Sequence, residues 1–460
     1  MERVLKIFES LAAIPHGSGN TKAISDYCVE YAKARNFEVL QDEWNNVLIR
    51  VPATAGYEAH EPVVIQGHLD MVCEKTPEST HDFEKDGLQL RRDGDWLMAT
   101  DTTLGGDDGI AIAYCLALLE EETPHPALEL FFTVDEETGM YGALDFDPQW
   151  ITGRRLLNLD SEEEGFLTVS AAGGVNVTGR LPLRWEPCQM PVYEIRVSGL
   201  RGGHSGAEIH QGRANANIIL GKILSGLPCR LIKMDGGQKP NVITPSATAL
   251  VAMDAPVDGN ALTELFRREY GEREPELTVT VTTASAEKML EKDCSDGVIG
   301  LLSGLPDGVQ SWSREIENLV ETSLNCGIVA TGEEELTVLT SLRSMKNAER
   351  DALAEKITAL MERWGAKVEE SSSYPAWEYR EDSPLRDAVC ACYQKLTGKE
   401  ITVLAIHAGL ECGLLAEKLP GLDSVSLGPD MQDIHSPRER LSISSAERTW
   451  KLLKEILKAL

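Results

Sequence analysis

Positive charge is scarce in this 460-residue chain: 44 Lys and Arg stand against 74 Asp and Glu, a formal net charge of −30 at pH 7. A nucleic-acid partner needs basic footprints over its phosphates, and no Lys/Arg cluster of that kind occurs. Anionic membrane surfaces are excluded on the same ground. Long apolar runs are missing too. The longest, Ile110–Leu119, is too short to span a bilayer, and the charged, amphipathic start Met1–Lys6 is unlike an export signal. The ten cysteines include no Cys-x-x-Cys pair, which argues against a redox or zinc-finger motif. They read as small buried hydrophobes or incidental thiols that the cytosol keeps reduced. Short tandem repeats and low-complexity tracts are absent as well. The expectation is a soluble, cytoplasmic protein without nucleic-acid or membrane partners.

Enough apolar material for ordinary cores is present, 42% of residues, and it falls into two textures. Over residues 1–180 helical and extended patterns alternate. Ile24, Tyr27, Cys28 and Tyr31 recur at helical spacing within Thr21–Arg35, while Val47–Val51, Val63–Gln66, Leu128–Val134 and Leu156–Leu159 read as short strands. Ile110–Glu121 is apolar nearly all round, as a helix inside a larger fold would be. This alternation predicts an α/β domain on a mostly parallel sheet. Over residues 181–379 the strands alternate in polarity, as in Val192–Val197, Ala249–Met253, Leu277–Thr282 and Leu336–Leu342, between amphipathic helices such as Ala214–Leu227 and Asn347–Trp364. That pattern predicts an antiparallel sheet with one covered face, hence an inserted α+β domain. Pro182 and Pro187 mark its entry and Ser371–Pro375 its exit. The α/β texture returns over residues 380–460, with strands at Thr402–Ile406 and Ser424–Leu427 and a closing helix at Ala446–Leu460.

Metal-competent side chains collect where the strand-like runs end. Val63–Gly67 leads into His68-Leu-Asp70, Leu130–Val134 into Asp135-Glu136-Glu137, and Leu156–Leu159 into Asp160; Ser424–Leu427 precedes His435 by a short loop. In open α/β sheets ligands bind beyond the carboxyl ends of the strands, so these groups should meet at one edge. Thr103-Leu-Gly-Gly-Asp107 adds a carboxylate between glycines at the start of the apolar helix. Alone, Asp107 would read as a helix cap. Beside two histidines and several strand-end acids it reads as a bridge between cations. Imidazole with carboxylate suits Zn²⁺, with Mn²⁺ or Co²⁺ as substitutes. His68, Asp107, Glu137, Asp160 and His435 suffice for two ions when Asp107 is shared. Glu136, next to a ligand but on an extended stretch that turns it elsewhere, is the candidate general base. Asp70 is placed to accept the second imidazole N–H of His68. His16, His60, His81, His125 and His210 read as ordinary surface or core histidines.

These segments resemble peptidase family M20, in its aminoacyl-histidine dipeptidase and cytosol nonspecific dipeptidase branch. The carrying motifs are Gln66–Cys73, Thr103–Gly109, Asp135–Met140, Asn158–Gly165, Gly199–Gly206 and Asp433–Arg440, spread over nearly the whole chain. The resemblance implies a dinuclear zinc dipeptidase in which an inserted lid domain interrupts the catalytic domain. His68, Asp107 and Asp160 would hold one zinc and His435, Asp107 and Glu137 the other, a shared water serving as the hydroxide nucleophile. Glu136 would be base and then acid, and Asp70 would orient His68. From the lid, His204 would stabilise the oxyanion, Asn241 the substrate backbone and Arg343 the C-terminal carboxylate. The loop His407–Gly413, with Gly409, would face the substrate. A homodimer through the lid, and hinge motion of the lid, are implied as well. Relatives often carry Asn where this chain has Asp108; Asp107 is preferred as the bridge because it directly follows the glycine pair. An amidohydrolase acting on N-acyl amino acids, or a metal-binding scaffold without catalysis, are the alternatives to a dipeptidase.

Overall fold

The computed structural model describes every residue except 315 and 317, and the chain divides into two compact units. The first comprises Met1–Ser170, Tyr379–Ala405 and Leu410–Leu460; the second comprises Ala171–Glu378 with Ile406–Gly409. The first crossing falls after residue 170 rather than after 180. Strand Gly173–Pro182 explains the difference, because it pairs along its length with Glu335–Ser344 and, on its other side, with Lys367–Tyr374.

The first unit is built on an eight-stranded sheet. Its inner strands, Leu128–Thr133, Val63–His68, Arg155–Asn158 and Asp423–Ser426, lie in that order and run parallel. Val47–Val51 flanks them antiparallel on one side and Phe166–Ala171 on the other. The expected parallel sheet is therefore parallel at its centre and mixed at its margins. Val63–His68 and Leu128–Thr133 are buried at every position, which is why their sequences are continuous rather than alternating. The register sets His68 beside Thr133, Gln66 beside Asn158, and Asn158 beside Ser426. The loops leaving these strands therefore emerge at one edge.

Helix Gly106–Leu118 is buried at every residue, as its all-round apolarity predicts. Ile110, Ile112 and Leu116 are each 0% exposed, and burying such a side chain contributes about 1.5–3 kcal/mol. The element that presents Asp107 is thereby anchored along its length. Tyr114 stacks on Trp450 at 5.6 Å, and its hydroxyl donates to the Ala446 carbonyl at 2.8 Å. A smaller antiparallel sheet pairs Met431–Gln432 with Arg440–Ser442, so that residues 433–439 form the hairpin loop carrying His435.

The second unit holds a nine-stranded sheet whose described pairings are antiparallel, with helices Ala216–Ser225, Gly259–Tyr270, Lys292–Gly304 and Asn347–Arg363. Its core joins Ile195, Val251, Leu324 and Val338 of the strands to Ile219, Phe266, Leu301 and Ile357 of the helices. Edge strand Lys367–Tyr374 carries Lys, Glu and Ser on exposed positions, which discourages further pairing. Among the described residues no helix is long and apolar enough to cross a membrane.

Candidate metal centre and active site

All five expected ligands meet at one edge of the first unit, His68 and Asp160 from strand ends, Asp107 and Glu137 from helix starts and His435 from the hairpin loop. His68, 1% exposed, lies with its Nε2 3.1 Å from Asp107 Oδ1 and 3.5 Å from Asp160 Oδ1. The other Asp107 oxygen, Oδ2, is 3.2 Å from His435 Nε2, which is 2.9 Å from Glu137 Oε1. Asp107 thus turns one carboxylate oxygen to each imidazole. His435 is presented with φ +56°, a left-handed conformation that a side-chain-bearing residue adopts at a cost of about 1–3 kcal/mol and that gathers at functional sites.

Electrostatics at this edge favour positive charge. Asp107 is buried, which would raise its carboxyl, yet His435 and His68 hold it well below the ordinary range. His435 is pushed up to about 11 by its hydrogen bonds to Asp107 and Glu137. Burial raises Asp160 to about 7 against the pull of His68. Burial also raises Glu136 well above a normal glutamate; the His68 charge opposes this, while Asp160, Glu411 and Glu137 add to it. So many carboxylates in a poorly solvated space are costly unless cations neutralise them. The donors fit such ions. Two groupings among the described residues, His68–Asp107–Glu137 and His68–Asp108–Asp160, each offer ligand atoms within 4.8 Å of one another. A mixed nitrogen and oxygen set of this kind suits Zn²⁺, Mn²⁺ or Co²⁺.

Asp108 is occupied differently from Asp107. Its Oδ2 accepts the backbone N–H of His68 at 3.2 Å, and its carboxyl, fully buried, is raised well above its ordinary value. One of its oxygens is thus tied to the strand, while the carboxylate still offers a ligand atom within 4.8 Å of those of His68 and Asp160.

Asp70 supports two parts of the site. His68 Nδ1 lies 3.0 Å from the Asp70 backbone carbonyl and 3.5 Å from its carboxylate, so the carbonyl takes the closer contact that the sequence had assigned to the side chain. The carboxylate accepts instead from the backbone N–H groups of Glu136 at 3.1 Å and Glu137 at 3.3 Å. These open a short helix, Glu136–Gly139, whereas an extended stretch was expected. The two glutamates diverge because adjacent helical positions point about 100° apart, not because of a strand pleat. Burial raises the Asp70 carboxyl, but His68, Ser18 and the Glu136 N–H together bring it below the usual value.

Four supports escaped the sequence reading. The Ser18 hydroxyl donates to Asp70 at 2.8 Å, and His16, expected to be ordinary, is buried beside Gly105 in the same loop region. Only the run Pro15-His-Gly-Ser-Gly19 hinted at them. The buried Glu439 carboxylate accepts from the backbone N–H groups of Leu104 and Gly106 at 2.8 Å and Gly105 at 3.2 Å, fixing the turn before Asp107. It lies four residues beyond His435, inside a motif already noticed. Glu411 accepts from Gln66 Nε2 and the Thr133 hydroxyl at 2.6 Å each; Gln66 in turn accepts from Asn158, whose own Oδ1 accepts the Asp160 N–H at 3.3 Å.

The remaining expected residues lie in the second unit. His204 Nδ1 accepts from the N–H groups of Gly206 at 3.2 Å and Ala207 at 3.0 Å, which leaves the proton on Nε2. Burial and the Arg343 charge lower its pKa, so it is a neutral N–H donor. Asn241 is exposed, on a loop whose carbonyls at Pro240 and Val242 accept from Asn325 Nδ2 at 2.8 and 2.9 Å. Arg343 donates from Nη1 to the Tyr374 hydroxyl at 2.8 Å. Gly409 lies against the Tyr374 ring. His407 donates or accepts at Ser323 Oγ, 2.7 Å away, and burial with the Arg343 charge lowers its pKa to about 3.

The model of peptidase family M20/M25/M40 matches residues 64–459. The chain belongs to this family. As a member of peptidase family M20 it is a hydrolase. It is 39% identical to the cytosol non-specific dipeptidase of Escherichia coli strain K12, over 98% of this chain and 96% of that protein. The crystal structure of an aminoacylhistidine dipeptidase from Vibrio alginolyticus superposes with a TM-score of 0.91 at 35% identity, covering 100% of this chain and 96% of that one. An aminopeptidase from Bacillus cereus shares the fold at a TM-score of 0.60 and 16% identity, covering 100% of this chain and 98% of its own. Ser18 and His16 precede the matched M20 region.

Proposed function

We propose that this M20 peptidase is a cytosolic, metal-dependent dipeptidase acting on Xaa-His dipeptides or a broader dipeptide set. The observation that carries the metal reading is Asp107, one oxygen 3.1 Å from His68 and the other 3.2 Å from His435. The names of the Escherichia coli and Vibrio alginolyticus relatives support the substrate class. His68, Asp107 and Asp160 would hold one zinc ion and His435, Asp107 and Glu137 the other, with Mn²⁺ or Co²⁺ as substitutes. Bound there, the pair would supply an acidified water and polarise the scissile carbonyl.

The chain's own groups do the rest. Glu136 takes the proton from the attacking water and delivers it to the leaving amine nitrogen as the C–N bond breaks. Asp70 fixes the backbone of the turn that carries Glu136. His204, with its proton on Nε2, donates to the carbonyl oxygen as negative charge develops, a contact whose loss costs on the order of 10²–10³ in rate. Asn241 holds the substrate backbone. Arg343 binds the C-terminal carboxylate and so selects short substrates.

Chelation followed by zinc readdition, assayed on a dipeptide series and on N-acetyl amino acids, tests this reading. Metal-dependent cleavage of dipeptides over N-acetyl amino acids is expected. Preference for N-acetyl amino acids would make the chain an amidohydrolase, and no turnover of either by the reloaded protein would leave a metal-binding scaffold.

A further inference from the structure

We infer that Tyr374 is a second substrate-binding donor, its hydroxyl joining Arg343 at the C-terminal carboxylate of the dipeptide. The inference rests on the carboxylate role proposed for Arg343. The Tyr374 oxygen accepts from Arg343 Nη1 at 2.8 Å, so the phenol's own hydrogen is not used in that contact and must point to another acceptor. The side chain is only partly buried, which leaves the hydroxyl within reach of a ligand. A guanidinium and an O–H side by side form a two-donor clamp for one carboxylate, and hydrogen bonds to a charged acceptor are the strong kind.

Two glycines hold the ring in place. A Cβ on Gly174 would lie 2.6 Å from the Tyr374 hydroxyl, and one on Gly409 would lie 2.8 Å from its ring. Both distances are shorter than any real carbon contact, so the ring occupies space that only glycine leaves open. Gly174 is also the cross-strand partner of both Arg343 and Tyr374. The substrate role expected for Gly409 is then indirect: it makes room for the tyrosine that touches the substrate.

The test compares a dipeptide with the same dipeptide carrying a C-terminal amide, on the metal-loaded native enzyme, Tyr374→Phe and Arg343→Met, with circular dichroism as the folding control. Tyr374→Phe keeps the ring between the glycines. It should raise KM for the free acid about 10-fold or more with kcat little changed, and raise KM for the amide markedly less, because a neutral carbonyl is the weaker acceptor. Gly409→Ala, which displaces the ring, should act in the same direction. If Arg343→Met weakens the preference for the free acid while Tyr374→Phe does not, the tyrosine role is wrong and the arginine role stands. An equal KM change for acid and amide in Tyr374→Phe would reduce Tyr374 to packing. If Arg343→Met leaves the preference intact, the arginine role falls and the tyrosine role with it.

Discussion

The Asp70 carboxylate accepts the backbone N–H of Glu136 at 3.1 Å, so the residue that stands beside His68 also anchors the turn that carries the proposed base. Asp70→Ala frees the N–H groups of Glu136 and Glu137 together. Activity or metal affinity is expected to fall about 10–100-fold, as for other residues that orient ligands. Steady-state kinetics and zinc titration of the folded variant measure both.

Glu136→Gln should retain metal while losing about 10²–10⁴ in kcat, because an amide cannot carry the proton to the leaving amine. Metal analysis alongside kcat decides it. Normal turnover with full metal would remove Glu136 from the mechanism.

Glu439→Gln places an NH₂ group against a row of backbone N–H donors. Unpaired buried donors cost about 1–3 kcal/mol, and the turn before Asp107 loses its anchor. Lower thermal stability together with weaker zinc binding is expected. Lost stability with native zinc affinity would show that the anchor serves the fold alone.

Asp307, in the second unit, is raised to about 7 by burial, against the pull of the Cys326 N–H, Lys222 and Asn215. The native state therefore favours the protonated acid, whose stabilisation is full below the ordinary value of 3.8 and is lost as pH rises through about 7. Asp307→Asn keeps an acceptor for the Cys326 N–H without the charge. Its melting temperature should exceed that of the native protein at pH 8, and the gap should close toward pH 4.

How much of this was legible without coordinates depended on the kind of signal. Strand-end residues such as His68 and Asp160 come directly after continuous apolar runs, and parallel strands deliver their C-terminal residues to one edge, so the sequence pointed to their convergence. The outer strands were not predicted to run antiparallel, since local pattern does not encode the pairing of Phe166–Ala171 with Asp423–Ser426. Glu136 was assigned through a strand pleat and is turned instead by a short helix held at Asp70. Ser18 and Glu439 act through backbone or carboxylate contacts across 52 and 333 residues. Separation on that scale leaves no periodicity to read. Tyr374 was visible only as part of a Ser- and Pro-marked boundary, because the glycines that seat it are distant in sequence.

Metal stoichiometry tests most directly whether Asp107 joins two cation positions, as proposed. Zinc titrated into chelated native protein and Asp107→Asn, with bound metal measured by mass spectrometry, should give two ions per native chain and fewer than two in the variant. Saturation of the native chain at a single ion, or two tightly held ions in Asp107→Asn, would contradict it.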